Sequence, residues 1–143
     1  MNLYLVRHGK ANTSPNGEHI LSKIGEEETR AMAHLLKEKE VEIDEILHSP
    51  KKRAQQTAQI IGQIVAPDVA LIQKSTLNPD EPIEPFFAEI EPLDRNLLIV
   101  SHLPFLEKLV ASLTNSIVDF ACSSIVCLKE TSGSFQVNWI LSP

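Results

Sequence analysis

The chain opens on a strand with no polar face. Leu3-Tyr4-Leu5-Val6 is apolar at every position, which is the pattern of a parallel strand covered on both sides rather than of an amphipathic helix or a half-solvated strand. The run then stops at once on Arg7-His8-Gly9. An open α/β sheet carries its chemistry just beyond the carboxyl ends of its strands. This start therefore constrains both the fold and the place to look for a site.

The rest of the chain alternates in the same sense. Residues 10–24 read as a polar loop carrying Pro15 and Gly17. From Gly25 to about Lys39 the spacing of Ala31, Leu35 and Leu36 predicts a helix, with acids early and lysines late to suit the helix dipole. A short strand is expected over 43–47. Ser49-Pro50 then reads as N-cap and first position of a helix reaching about Val65, with Ala54, Thr57, Ala58 and Ile61 inward. Strands follow over 69–73 and 97–100, and Pro104 opens a helix to about Leu113. Two β-like segments near 122–128 and 134–140, joined through Ser132-Gly133, form a hairpin. The stretch 78–94 has four prolines and six acidic residues and reads as a loop with a short helix around Phe86–Ile90. Strands alternating with helices predict a three-layer α/β/α sandwich with a mainly parallel central sheet and a C-terminal β-hairpin. A length of 143 residues suits one domain, 1–143.

Two strand ends carry similar chemistry. Leu5-Val6-Arg7-His8-Gly9 is one, and Ile99-Val100-Ser101-His102-Leu103-Pro104 is the other. Both imidazoles should open onto the same edge of the sheet. Between them in sequence, Ser49-Pro50-Lys51-Lys52-Arg53 places Arg53 in the first turn of a helix. Backbone N–H groups and the dipole favour an anion there, and a guanidinium adds a bidentate donor. Two arginines and two histidines can thus converge on one phosphate, with an imidazole to attack phosphorus.

Charge and composition bound the alternatives. The net charge of −6 argues against non-specific nucleic-acid binding, which needs a basic face. No apolar run approaches the ~20 residues of a membrane span, and Met1 leads straight into a strand with no basic leader, so a cytoplasmic protein is expected. Cys122 and Cys127 are five apart and would point to opposite faces of a strand, so free thiols are expected. His8, His48 and His102 together suggest a zinc site, but a dication beside two guanidinium groups is repelled. No metal and no other cofactor is expected. His48 reads equally as pocket rim or solvated loop residue, His34 as structural, and Lys51 and Lys52 as exposed.

These motifs, Arg7-His8-Gly9, Ser49-Pro50 with Arg53-Ala54 and Gln56-Thr57, and Ser101-His102, in this order, resemble the histidine phosphatase superfamily, which includes the phosphoglycerate mutases. The short chain, the wording Val100-Ser101-His102-Leu103-Pro104 and the tail Asn138-Trp139 with Ser142-Pro143 are most similar to the SixA-type phosphohistidine phosphatases. The resemblance implies that His8 is the nucleophile that becomes phosphorylated. It implies that Arg7 and Arg53 bind the phosphoryl oxygens and that His102 donates to them, with His19 and Ser101 as further candidates for phosphate binding. Many relatives carry an Arg-Pro-Leu-Thr element where His19-Ile20-Leu21-Ser22 stands here. Relatives acting on phosphate esters carry a glutamate acid near the position of Thr76, with Asp80 the nearest substitute.

A leaving imidazole can be protonated on its own ring, whereas an alkoxide needs an acid. The expected activity is therefore hydrolysis of phosphohistidine, on a phosphorylated protein, through a phosphohistidine enzyme intermediate. The neighbouring cations are expected to hold His8 neutral. Two alternatives stay open: a phosphate-binding module with little turnover, and a phosphatase for small phosphate esters. Oligomeric state is open too.

Overall fold

The structure is a computed structural model describing residues 1–143. Eight strands and four helices follow one another: β1 (Asn2–Arg7), β2 (Ala11–Thr13), β3 (His19–Leu21), α1 (Lys23–Glu38), β4 (Glu45–His48), α2 (Lys52–Val65), β5 (Leu71–Gln73), α3 (Ile83–Ile90), β6 (Leu97–Ser101), α4 (Phe105–Thr114), β7 (Ile125–Thr131) and β8 (Ser134–Leu141), with a 3₁₀ turn at Ser75–Leu77. Six strands form one sheet in the order β5-β4-β6-β1-β7-β8. The first four run parallel, while β7 and β8 join antiparallel as the expected terminal hairpin.

Both faces of the sheet are covered, as the apolar runs required. Leu3 and Leu5 of β1 and Leu97 and Ile99 of β6 face one layer, where Phe86 and Ile90 of α3 and Phe105, Leu106, Leu109 and Val110 of α4 pack on them. Tyr4, Val6, Leu98 and Val100 face the other, against Met32, Ala33 and Leu36 of α1 and Ala54, Ala58 and Ile61 of α2. Full burial of side chains of this size stabilises by about 2 kcal/mol each, so the central strands hold both layers together. No helix is long and apolar enough to cross a membrane.

Four local expectations are corrected. The polar loop over 10–24 contains a small hairpin: β2 pairs antiparallel with β3 around a turn with Gly17 at φ +85°. Strands of three residues are too short to show alternation, and this pair is held from outside, by Gln56 Oε1 of α2 accepting from Leu21 N–H at 2.8 Å. The inner stripe of α1 is Thr29-Met32-Ala33-Leu36; Ala31 and Leu35 are exposed. The buried threonine, not a second leucine, marks that face. The helix is capped by Ser22, whose Oγ accepts from Gly25 N–H at 3.0 Å. Ser49-Pro50 is not the cap of α2: that helix begins at Lys52 with Lys51 at its cap position and no side-chain cap. Finally, β7 starts at Ile125, so Cys122 lies in the turn before it. Cys122 and Cys127 are both free.

Candidate active site

Register builds the site. Arg7 of β1 stands opposite Ser101 of β6, and His48 of β4 opposite Val100. The three parallel strands therefore end almost level, and the residues after them, His8, Ser49 and His102, leave the sheet at one edge. The first steps beyond the edge remain tied across it. His8 N–H donates to the Ser101 carbonyl at 3.1 Å, and Ser49 N–H donates to the Val100 carbonyl at 3.1 Å.

His8 is held in one tautomer. Its Nδ1 lies 2.8 Å from the Gly9 carbonyl oxygen. A carbonyl can only accept, so Nδ1 carries the proton and Nε2 keeps its lone pair. Arg53 Nε approaches that same Nε2 at 3.4 Å. The Gly9 backbone is fixed in turn: its N–H donates to Thr57 Oγ1 at 3.0 Å, and Thr57 Oγ1 donates to the Arg53 carbonyl at 2.8 Å. One threonine on α2 thus sets the loop that orients His8 and the turn that carries Arg53. A side chain on residue 9 would not fit, since a Cβ there would lie 2.8 Å from Thr29 Oγ1.

Burial holds the His8 ring neutral, pulling its pKa down to about 4, and the charges of Arg53, Arg7 and His19 add to the effect. The Gly9 carbonyl works the other way by favouring the protonated ring. The expected lowering by neighbouring cations is present, but desolvation is the larger cause.

The His102 ring lies 5.0 Å from the His8 ring, centroid to centroid. It is 1% exposed, and burial lowers its pKa to about 3, with His8, Arg53, Lys51 and Arg7 adding to the shift. Its Nε2 sits 2.7 Å from Ser49 Oγ, while its buried Nδ1 has no partner within the protein. Arg7 donates from Nη1 to the Phe120 carbonyl at 2.8 Å, and its buried Nε likewise has no partner. Buried polar atoms left unpaired cost free energy, and in native proteins they call for an explanation. A tetrahedral oxyanion at this edge would satisfy both. The N-terminus of α2, free of any side-chain cap, adds backbone N–H groups of the same polarity.

Arg53 also borders an open cavity of about 460 Å³ lined by Lys51, Arg53, Asn78, Pro79, Asp80 and Glu81. Thr76 is elsewhere; its hydroxyl approaches Glu89 of α3 at 3.4 Å.

The other sequence candidates divide. His19 is the exposed residue of β3 and lies near enough that its protonated form would add to the lowering of the His8 pKa. Ser101 faces inward at the end of β6. Its buried hydroxyl donates to the Leu77 carbonyl at 2.7 Å, so its contribution here is the backbone carbonyl that receives His8 N–H. His48 is buried rather than solvated or on a rim, with Nδ1 2.9 Å from the Ser49 carbonyl oxygen. His34 is exposed on α1. Lys51 and Lys52 are exposed as expected. Sequence reasoning missed the Phe120 carbonyl, which as backbone carries no residue signal. It also assigned Ser49 to a helix end rather than to His102, although the adjoining strand end held the clue.

Comparison with known proteins fits this geometry. Residues 3–78 match the model of the histidine phosphatase superfamily, branch 1. The chain belongs to the histidine phosphatase superfamily. The matched segment holds Arg7, His8 and Arg53, while His102 lies beyond it. The phosphohistidine phosphatase SixA of Escherichia coli (strain K12) is 30% identical over 100% of this chain and 94% of its own. A structure of the protein histidine phosphatase SixA complexed with tungstate superposes with a TM-score of 0.91 at 30% identity, covering 99% of this chain and 97% of the other. The α-ribazole phosphatase from Shigella flexneri shares the fold at 20% identity and a TM-score of 0.79, over 99% of this chain and 96% of that one. This member of the superfamily is a phosphatase with a mixed α/β fold around a six-stranded, mostly parallel sheet. Histidine phosphatases of this fold include enzymes for different phosphorylated compounds, so the substrate has to be argued from the site.

Proposed function

We propose that this histidine phosphatase hydrolyses phosphohistidine on a protein, and that it does so through a phosphohistidine formed on its own His8. The observation that carries the reading is the unprotonated Nε2 of His8, which accepts from Arg53 Nε–H at 3.4 Å and whose ring lies 5.0 Å, centroid to centroid, from that of His102. In the first step His8 Nε2 attacks phosphorus. The P–N bond to the substrate imidazole breaks and its electron pair stays on the departing ring nitrogen; with the substrate ring protonated at its other nitrogen, it leaves as neutral imidazole. In the second step water attacks the phosphorus on His8, inorganic phosphate leaves, and the imidazole is restored. Arg7, Arg53 and His102 hold the three equatorial oxygens in the loose, charge-spread transition state, where cationic positioning does most of the work. No cofactor enters the scheme.

A phosphoramidate suits a site in which no carboxylate is hydrogen-bonded to His8 or His102, because the leaving nitrogen needs no enzyme acid. The cavity beside Arg53 supports a second reading. Asp80 and Glu81 line it, and Asp80 could protonate an alkoxide, which would make a small phosphate ester the substrate. A protein phosphorylated on histidine and free phosphoserine, offered in parallel, separate the two. The first reading expects free phosphate from the protein, acid-labile phosphate trapped on the enzyme after brief mixing, and loss of both in His8→Ala. Efficient phosphoserine hydrolysis that falls in Asp80→Asn supports the second. Tight vanadate binding with no turnover of either would mean a binding module. With free Cys122 and Cys127, the reading places the protein in a reducing cytoplasm.

A further inference from the structure

Ser49 follows β4 directly and is completely buried. Its Oγ has two neighbours: the Lys51 N–H, which donates at 3.2 Å, and His102 Nε2 at 2.7 Å. A hydroxyl has one proton to give and two lone pairs to receive with. The Lys51 N–H occupies a lone pair. Within the protein only His102 Nε2 stands in place to take the proton. An imidazole that accepts at Nε2 and carries a single proton has that proton on Nδ1. Nδ1 is the buried atom of His102 with no partner.

We propose that Ser49 is a positioning residue that fixes His102 as the Nδ1–H tautomer, so that the ring meets a phosphoryl oxygen as a donor while uncharged. The opposite tautomer would present a lone pair to the oxygen and repel it. The proposal rests on the reading of this edge as the phosphoryl site, but not on which phosphorylated compound is the substrate. Its logic also accounts for the residue type. A carboxylate at position 49 would accept from Nε2–H and force the wrong tautomer, whereas a hydroxyl held by the Lys51 N–H is free to donate. His102 stays neutral because it is buried, so the tautomer and not the charge decides what the ring can do.

The test uses the whole protein, ¹⁵N-labelled. Long-range ¹H–¹⁵N correlation of the His102 ring should show Nδ1 protonated and Nε2 bare in the wild type at pH 7. Ser49→Ala should give mixed or Nε2–H character, weaken inorganic vanadate binding, and lower turnover of a phosphohistidine-bearing protein by about tenfold to a hundredfold, the scale seen when a metal-ligating histidine loses the partner that orients it. The loss should fall on kcat more than on KM, and Ser49→Thr, which keeps the hydroxyl, should restore the wild-type tautomer and most of the vanadate affinity. A wild-type spectrum with the proton on Nε2 overturns the proposal whatever the variants do. So does a folded Ser49→Ala protein with unchanged tautomer and unchanged vanadate affinity. If the wild type fails to turn over phosphohistidine but shows the expected tautomer shift in Ser49→Ala, the substrate reading falls and the role of Ser49 stands.

Discussion

Arg53 Nε rests 3.4 Å from His8 Nε2, the ring nitrogen that the Gly9 carbonyl leaves without a proton. A permanent cation beside an imidazole lone pair opposes protonation of the ring, and the rest of its fork is available to phosphoryl oxygens. Lysine keeps the charge but loses the planar fork. Arg53→Lys should therefore lower kcat by about a hundredfold, the scale of losing one transition-state donor. Steady-state release of phosphate from a phosphohistidine-bearing protein measures it; a drop below threefold would mean that charge alone suffices.

The pH response should separate this site from an ordinary histidine pair. His8 has its pKa lowered to about 4 and His102 to about 3, against about 6.5 in the unfolded chain. Because His8 stays neutral, kcat/KM should hold from pH 7 down to pH 5 and fall only near pH 4. A limb at pH 6.5 would contradict the burial argument.

Stability follows the same groups. Between about pH 6.5 and pH 3 the unfolded chain binds more protons at these two rings than the folded one does, so stability rises with pH. Their contribution is complete above pH 6.5 and is lost as pH falls through the folded values. Melting temperature should decline from pH 7 to pH 4.5, and the decline should shrink in His102→Asn, which removes one of the two.

Thr57 joins two parts of the site with one hydroxyl, accepting from Gly9 N–H and donating to the Arg53 carbonyl. Thr57→Val keeps the shape and strands the Gly9 N–H without a partner. A buried unsatisfied donor costs about 1–3 kcal/mol. Chemical denaturation should read that loss, and turnover should fall with it because the Gly9 carbonyl also orients His8.

Close backbone approach makes Gly25 sensitive as well. A Cβ there would lie 2.1 Å from the Lys10 carbonyl oxygen, so Gly25→Ala forces α1 away from the loop after His8. Overpacking of this kind costs about 1–3 kcal/mol, and a lower melting temperature with reduced turnover is the expected result. An unchanged melting temperature would show that the loop can yield.

What could be read in advance depended on how far each signal spreads along the chain. Runs such as Leu3–Val6 and Leu97–Val100 report burial on both faces, and they located the sheet and its working edge. Arg7, His8, Arg53 and His102 were legible because strand ends and a helix start have residue signatures. The β2–β3 hairpin was not, since its three-residue strands depend on Gln56 for support. Leu35 misled because hydrophobicity alone does not distinguish an exposed leucine from a buried one, while buried Thr29, with its hydroxyl 3.0 Å from Ser123 Oγ, looked polar. Ser49 fitted a capping pattern, and only the distance to His102 shows where its hydroxyl is committed. The depression of the His8 pKa was foreseen for a secondary reason, because depth of burial is invisible in a string of residues.

β1, which ends at Arg7 just before His8, has neighbours along both edges, β6 on one side and β7 on the other. No partial opening can release this strand while the remainder stays intact: freeing it means unzipping two ladders and parting both layers. Amide protons of Leu5 and Val6 should thus be among the slowest in the molecule to exchange with heavy water, and catalytic competence should vanish in the same cooperative transition as the chain's overall order.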